Sequence, residues 1–372
     1  MPLKAHFFFR QYSKLKLMKS FRLLLCLLIV CTLSACSSVS YYTQSVVGHS
    51  RLVLARQSLD KAIAKSTGER KDQLELAKQI RQFAVDELDL PDNRSYKNFV
   101  DLKREYPVWT IVAAPEFSLQ AEQWCYLVIG CAAYRGYFKK GAAQKYANRL
   151  EKKGLEVVVG GASAYSTLGW FADPLLPSML NQGKANFAEV VFHELAHQKL
   201  YINGDSGFNE AFASIVGEVG AELWLQSRND QQTLTRYQAG LQASIDFEDL
   251  LAQTRDALTK IYAADTGDAE KRANKQRVFD ELRADYELLK NDKWNGTDWY
   301  GRWFARPINN ARLAAFSTYR DRVPELRALF ADCGKSFSRF YASLDAEASF
   351  DKELGQVVVP KSCMPVLLDQ PT

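Results

Sequence analysis

Histidine is scarce in this chain, with four among 372 residues: His6, His49, His193 and His197. So few imidazoles make any clustering among them informative. Long apolar runs are also missing. The longest, residues 23–33 (LLLCLLIVCTL), falls short of the roughly 20 residues that a membrane-spanning helix needs. There is no excess of charge in the body of the protein. The whole chain has 48 basic and 43 acidic residues, but Lys4, Arg10, Lys14, Lys16, Lys19 and Arg22 precede residue 35 with no acid among them. Beyond that point 42 basic residues face 43 acidic ones, which excludes the basic surface of a nucleic-acid binder. No CxxC pair or Cys/His cluster is present, which excludes a structural zinc finger. No internal repeat occurs, so a solenoid is excluded as well. What is present, 47% hydrophobic and 24% charged residues, is the composition of a globular protein with length for one large domain or two modest ones.

The first 35 residues have the basic, apolar and small-residue order of a secretory signal peptide. They end in Leu33-Ser34-Ala35-Cys36, which resembles a bacterial lipobox. That resemblance implies cleavage before Cys36, acylation of its thiol, and, with serines at 37 and 38, residence at the outer membrane facing the periplasm. The membrane is then a partner through lipid alone. Residues 36–48 read as a tether. Of the seven cysteines, Cys125, Cys131, Cys333 and Cys363 remain for an oxidising compartment, and the sequence-local pairing is Cys125 with Cys131 and Cys333 with Cys363.

The remainder, 49–372, reads as a single predominantly helical α+β domain. Apolar spacing predicts helices over 49–66 and 69–89, then strands at Val108–Ala114, Trp124–Ile129 and Cys131–Phe138, with Gly130 as a turn. A helix over 140–153 and a strand at Leu155–Val159 complete a small mixed sheet. Residues 229–292 carry two apolar stripes, Phe247, Leu250, Leu251, Leu258 and Ile261, then Val278, Phe279, Leu282, Tyr286 and Leu289. Thr266-Gly267-Asp268 lies between them, so a long antiparallel helical hairpin is expected as an insertion.

Residues 193–197, His-Glu-Leu-Ala-His, form an HExxH motif on an apolar helical stretch. Side chains at i and i+4 share one helical face, so His193 and His197 can reach a single metal ion. Glu194 projects beside that face, where it can take a proton from an attacking water. Two histidines and one carboxylate leave a fourth position open, the arrangement of a catalytic zinc site. Asn203-Gly204-Asp205 supplies a turn, and a second helix starting near Ser206 carries two candidates for the third ligand, Glu210 and Glu218. Glu218, two turns beyond Glu210, suits either ligation or the fixing of a histidine ring. His49 reads as an ordinary cap or surface residue.

Phe208-Asn209-Glu210-Ala211-Phe212-Ala213 resembles the third-ligand segment of the gluzincin metallopeptidases, in which an Asn-Glu pair opens the same helix. That favours Glu210, although the interval from His197 is shorter than usual there. Together with residues 157–179 (VVVGGASAYSTLGWFADPLLPSM) and 130–138 (GCAAYRGYF), these blocks resemble a family of predicted bacterial aminopeptidases that includes many lipoproteins. The resemblance implies a zincin-like fold and one zinc ion held by His193, His197 and Glu210. It implies peptide or protein as substrate, cleaved with Glu194 as base. The Gly-x-Met-Glu-Asn block that reads a free amino terminus in better-known metallo-aminopeptidases is absent. In zincin folds a strand edge just ahead of the metal helix pairs with extended substrate, which points to Leu155–Val159 running through Gly160 to Tyr165. Tyr165 and Tyr319 are the candidate oxyanion donors. Asn309 and Asn310 suit either substrate backbone or a helix cap, and Arg135 either a substrate carboxylate or an ion pair. Two other readings share the metal: a chaperone-like envelope lipoprotein that keeps zinc for structure, and an amidase acting on cell-wall material.

Overall fold

The computed structural model describes residues 41–126, 130–167, 170–317 and 322–364. The leader, Cys36 and Tyr319 lie outside these residues. The chain divides into two units, Met1–Leu54 and Ala55–Thr372. In the first, residues 41–54 form helix α1. It begins inside the stretch read as a tether and carries His49.

The second unit runs β1 (Gln57–Ser58), α2 (Leu59–Lys65), α3 (Gly68–Asp86), β2 (Asn98–Phe99), β3 (Val108–Pro115), β4 (Trp124–Tyr126), β5 (Gly130–Ala132), β6 (Arg135–Tyr137), α4 (Lys140–Glu151), β7 (Leu155–Ala162), α5 (Pro177–Leu180), α6 (Lys184–Lys199), α7 (Ser206–Ser227), α8 (Gln231–Ala263), α9 (Asp268–Leu288), α10 (Gly301–Phe304), α11 (Asn310–Ser317), α12 (Val323–Asp332), α13 (Phe337–Glu347), β8 (Ser349–Asp351) and β9 (Gln356–Val358). The helix expected over 49–66 is broken between α1 and α2. Gln57 and Ser58 pair with Phe99 and Asn98 instead, and the Ser58 hydroxyl accepts from Lys61 N to cap α2, a role that competes with helix continuation at serine.

The expected mixed sheet is antiparallel throughout. Its order is β6-β3-β7, with β3 antiparallel to both neighbours and in register with β7 from Val108↔Ala162 to Pro115↔Leu155. β6 and β7 run the same way and are linked by α4, but β3 is inserted between them, so every pairing joins opposed strands. Helices α4 and α11 pack on this sheet, burying Ile111, Ala113 and Ala114. Gly130, read as a turn, opens β5 opposite Tyr126, and a disulfide joins the facing Cys125 and Cys131. A second disulfide joins Cys333 to Cys363.

The hairpin forms as α8 and α9. Phe247, Leu250, Leu251 and Leu258 meet Val278, Phe279, Leu282 and Tyr286 in one apolar cluster. Buried Asn310 ties this body to the sheet, donating through Nδ2 to Glu116 O at 2.9 Å and accepting from Tyr262 Oη at 2.8 Å. Glu156 of β7 accepts from Asn310 N at 2.6 Å and pairs with Lys275 of α9. No helix among the described residues is long and apolar enough to cross a membrane.

Helices α6 and α7 pack antiparallel and close. At the crossing α7 presents two glycines. A Cβ on Gly217 would stand 2.9 Å from the Glu189 carbonyl oxygen and 3.3 Å from His193 Cβ, and one on Gly220 would stand 2.8 Å from the Phe192 ring. Gly217→Ala is therefore expected to destabilise the protein by about 1–3 kcal/mol through overpacking, in spite of alanine's better helix propensity. Gly141→Ala in α4, where nothing lies within 4 Å, should stabilise it by about 0.4–1 kcal/mol. Urea unfolding of the two variants should give shifts of opposite sign.

Candidate metal centre

Helix α6 is apolar on most sides, with Phe187, Ala188, Val191, Phe192, Leu195 and Ala196 buried. This burial fixes the rotation of the helix and leaves one polar seam facing α7. His193 and His197 occupy that seam one turn apart, with their Nε2 atoms 3.2 Å from each other. Glu210, in the first turns of α7, brings Oε2 to 3.3 Å from His193 Nε2 and 3.7 Å from His197 Nε2. His193 and Glu210 are half-buried, and His197 is buried at 7% exposure.

Sequence features hold the third group in place. Asp205 caps α7 through Phe208 N at 2.8 Å. The buried Asn209 side chain locks the connection between the helices, accepting from Ile202 N at 2.9 Å and donating to Ile202 O at 2.8 Å and Asp205 O at 2.9 Å. Asp205 also accepts from Arg322 Nη1 at 2.6 Å and Val357 N at 2.8 Å. A six-residue connection stapled in this way lets Glu210 follow His197 at so short an interval.

The three groups polarise one another. Burial raises the pKa of Glu210, but hydrogen bonds from His193 and His197 outweigh it and bring the carboxyl down to about 2. Burial opposes the charging of His193, yet the Glu210 hydrogen bond and the charges of Glu194, Glu210 and Glu189 push its pKa up. Two ligands at about 2.0–2.1 Å from a tetrahedral zinc lie roughly 3.3 Å apart, so separations of 3.2, 3.3 and 3.7 Å fit one such ion. Among the described residues, His193, His197 and Glu210 are the group of three donors able to share one. His197 Nδ1 is buried without a hydrogen-bond partner.

Glu218 is placed elsewhere. Its carboxylate is buried and pairs with Arg327 of α12, so of the two candidate carboxylates it is Glu210 that stands against the histidines. The Asn309 amide, read as holding either substrate backbone or a helix cap, caps α11 and is engaged within the fold. Nδ2 donates to Val157 O of β7 at 3.2 Å and Oδ1 accepts from Arg312 N at 3.0 Å. The Arg135 guanidinium lies over the Tyr146 ring, 4.7 Å from its centroid. Gly160 pairs with Thr110 of β3. Because Val157 O points to Asn309, alternation turns the backbone groups of Val159 and Gly161 to the same open edge of the sheet. Tyr165, just beyond β7, packs on Phe138 with ring centroids 5.5 Å apart. Burial, followed by the Asp173 charge, pushes its pKa up to about 12.

Sequence reasoning passed over a buried polar group on the Glu194 side of α6. Asp173 takes Thr167 Oγ1 at 2.6 Å and Thr167 N at 3.1 Å, and Gln198 Nε2 lies 3.5 Å from it. The Tyr96 phenol feels the charges of both Glu194 and Asp173. No motif announces these residues, since they come from three separate segments of the chain.

The family model described as "Putative aminopeptidase" matches residues 40–356. No curated protein and no solved structure matches the chain.

The geometry separates Glu210 from Glu218 experimentally. Glu210→Ala should weaken zinc binding by more than about 100-fold, beyond what loss of a supporting partner costs. Glu218→Gln should leave it within a few-fold and lower unfolding stability by about 1–3 kcal/mol. Competitive zinc titration and urea melts on both variants check this, and the reverse pattern would reassign the ligand.

Proposed function

The chain belongs to the family described as "Putative aminopeptidase", and from that premise we propose that it is a zinc-dependent peptidase of zincin-like architecture, with the ion held by His193, His197 and Glu210. The observation that carries this reading is the convergence of those three donor atoms within 4.8 Å of one another on two packed helices. A zinc ion there supplies Lewis-acid polarisation of the scissile carbonyl and lowers the pKa of the attacking water towards about 7.

The chain's own residues do the rest. Glu194, adjacent to His193 and half-buried, takes the proton from the attacking water and delivers it to the leaving amine. The outward backbone groups at Val159 and Gly161 pair with extended substrate, which reaches no further than Val157 because Asn309 occupies that position. Tyr165 donates its O–H to the developing oxyanion. With a pKa of about 12 the phenol keeps its proton, and remains a donor, at neutral and mildly alkaline pH. At the amino-terminal end, Cys36 carries lipid and holds the enzyme in the cell envelope, at the outer membrane facing the periplasm.

The zinc-loaded full-length protein in detergent should cleave members of a mixed peptide library, and amino-terminal sequencing of the products reads whether residues leave singly. Glu194→Gln should lower kcat by about 10²–10⁴-fold with zinc content unchanged. A wild-type protein inert on peptides but active on peptidoglycan fragments would move the reading to an amidase, and biological function retained by Glu194→Gln would move it to a structural zinc protein. Tyr165→Phe should lower kcat by about 10²–10³-fold, and ionisation of this group should cause no alkaline loss of wild-type rate below about pH 11. Cys36→Ser should abolish incorporation of radiolabelled palmitate, and incorporation that persists would place the anchor elsewhere.

A further inference from the structure

Tyr96 has φ +60°, a left-handed backbone that bulky residues rarely adopt, and it is completely buried. Such strain persists only where the surroundings over-determine it, and it concentrates at functional sites. The surroundings here do so from two sides. The buried Arg81 of α3 donates Nε to Ser95 O at 3.2 Å, and Nη2 to Pro91 O at 2.8 Å and Asn93 O at 3.3 Å. On the other side, Asn93 Nδ2 donates to Gln198 Oε1 at 2.6 Å, in the last turn of the HExxH helix. Tyr96 N donates to Asp173 O at 2.7 Å, and Asp173 N returns to Ser95 Oγ at 3.3 Å. Residues 91–96 are thus fastened to α6 one turn beyond Glu194, with the Tyr96 phenol in the fields of Glu194 and Asp173 and Ser166 beside it.

Packing alone does not explain a tyrosine here. A phenylalanine would fill the same volume without burying a hydroxyl, and a buried hydroxyl is costly unless it has polar work to do. The Tyr96 hydroxyl is buried with no hydrogen-bond partner among the described residues, and we propose that Tyr96 is a positioning residue for Glu194: its O–H, held in place by the clamped turn, orients the Glu194 carboxylate through one bridging water, leaving the other oxygen for the attacking water. This rests on the reading of the site as a hydrolytic metal centre.

Tyr96→Phe keeps the ring and deletes only the hydroxyl. The variant is expected to bind zinc within twofold of wild type, and to lose about 10- to 100-fold in kcat on the mixed peptide library with KM within about twofold. A structural role would not confine the loss to kcat. A second measurement needs no substrate. In a thermal-melting cycle of wild type, Tyr96→Phe, Glu194→Ala and the double variant, coupling predicts that the melting shift caused by Tyr96→Phe changes when Glu194 is absent. Additive shifts in both zinc-loaded and zinc-free protein would overturn the proposal, as would unchanged kcat. If Tyr96→Phe fails to fold, Asn93→Ala tests the same device by loosening the turn from Gln198, and is expected to lower kcat in the same direction; an unchanged kcat would overturn it. If wild type hydrolyses no peptide, the peptidase reading fails by itself and the melting cycle still decides the role of Tyr96.

Discussion

Helices α6 and α7 touch at Gly217 and Gly220, and the depth of that contact decides whether this protein has a site. The imidazoles belong to one helix and the carboxylate to the other, so the separation of their donor atoms is set by the distance between two backbones. With no side chain at Gly217, the α7 backbone rests against the Glu189 carbonyl and His193 Cβ. Glu210 then reaches both histidine Nε2 atoms with a short, half-buried side chain. A carboxylate and two imidazoles brought this close bias one another strongly, and the imidazoles hold the Glu210 carboxyl down at about 2 against its burial.

Around this contact the protein spends its polar groups on fixing segments, not surfaces. Asn209 and Asp205 hold the turn between the helices. Arg81, Asn93, Asp173 and Gln198 bind a strained turn to the last turn of α6. Asn309 and Asn310 staple the helical hairpin and α11 to the sheet at β7 and β3. Except for Gln198, which bonds the Asn93 and Asp173 side chains, these side chains satisfy backbone groups that would otherwise be buried unpaired. The consequence is an HExxH helix whose C-terminal end is clamped from two sides, while Asn309 reaches along β7 no further than Val157.

Much of the helical framework was legible because helical periodicity is local. The stripes of α8 and α9 could be read residue by residue, and so could the boundary of α7 near Ser206. Where the reading went astray, pairing partners distant in the chain had intervened. Ser58 ended a helix because Asn98 and Phe99 pair with β1. The sheet is antiparallel because β3 lies between β6 and β7. Asn309, an open choice between substrate and cap, is drawn to Val157 by the packing of α11 on the sheet. Tyr96 gave no sign at all, since its importance lies in a dihedral angle and in neighbours from three other segments.

From its sequence alone, this protein was determined to place two histidines on one helical face with a glutamate beside them, to follow them with a carboxylate-bearing helix, and to build an α+β body with a long helical hairpin. Those properties depend on spacing along one helix or on composition, and the chain carries both directly. Only the tertiary structure decided between Glu210 and Glu218 as the carboxylate that meets the histidines. Both lie on α7 and both are acids; what separates them is the crossing point with α6, which puts Glu210 against the imidazoles and Glu218 against Arg327. A crossing point depends on how two surfaces fit, and no single segment of the chain encodes it.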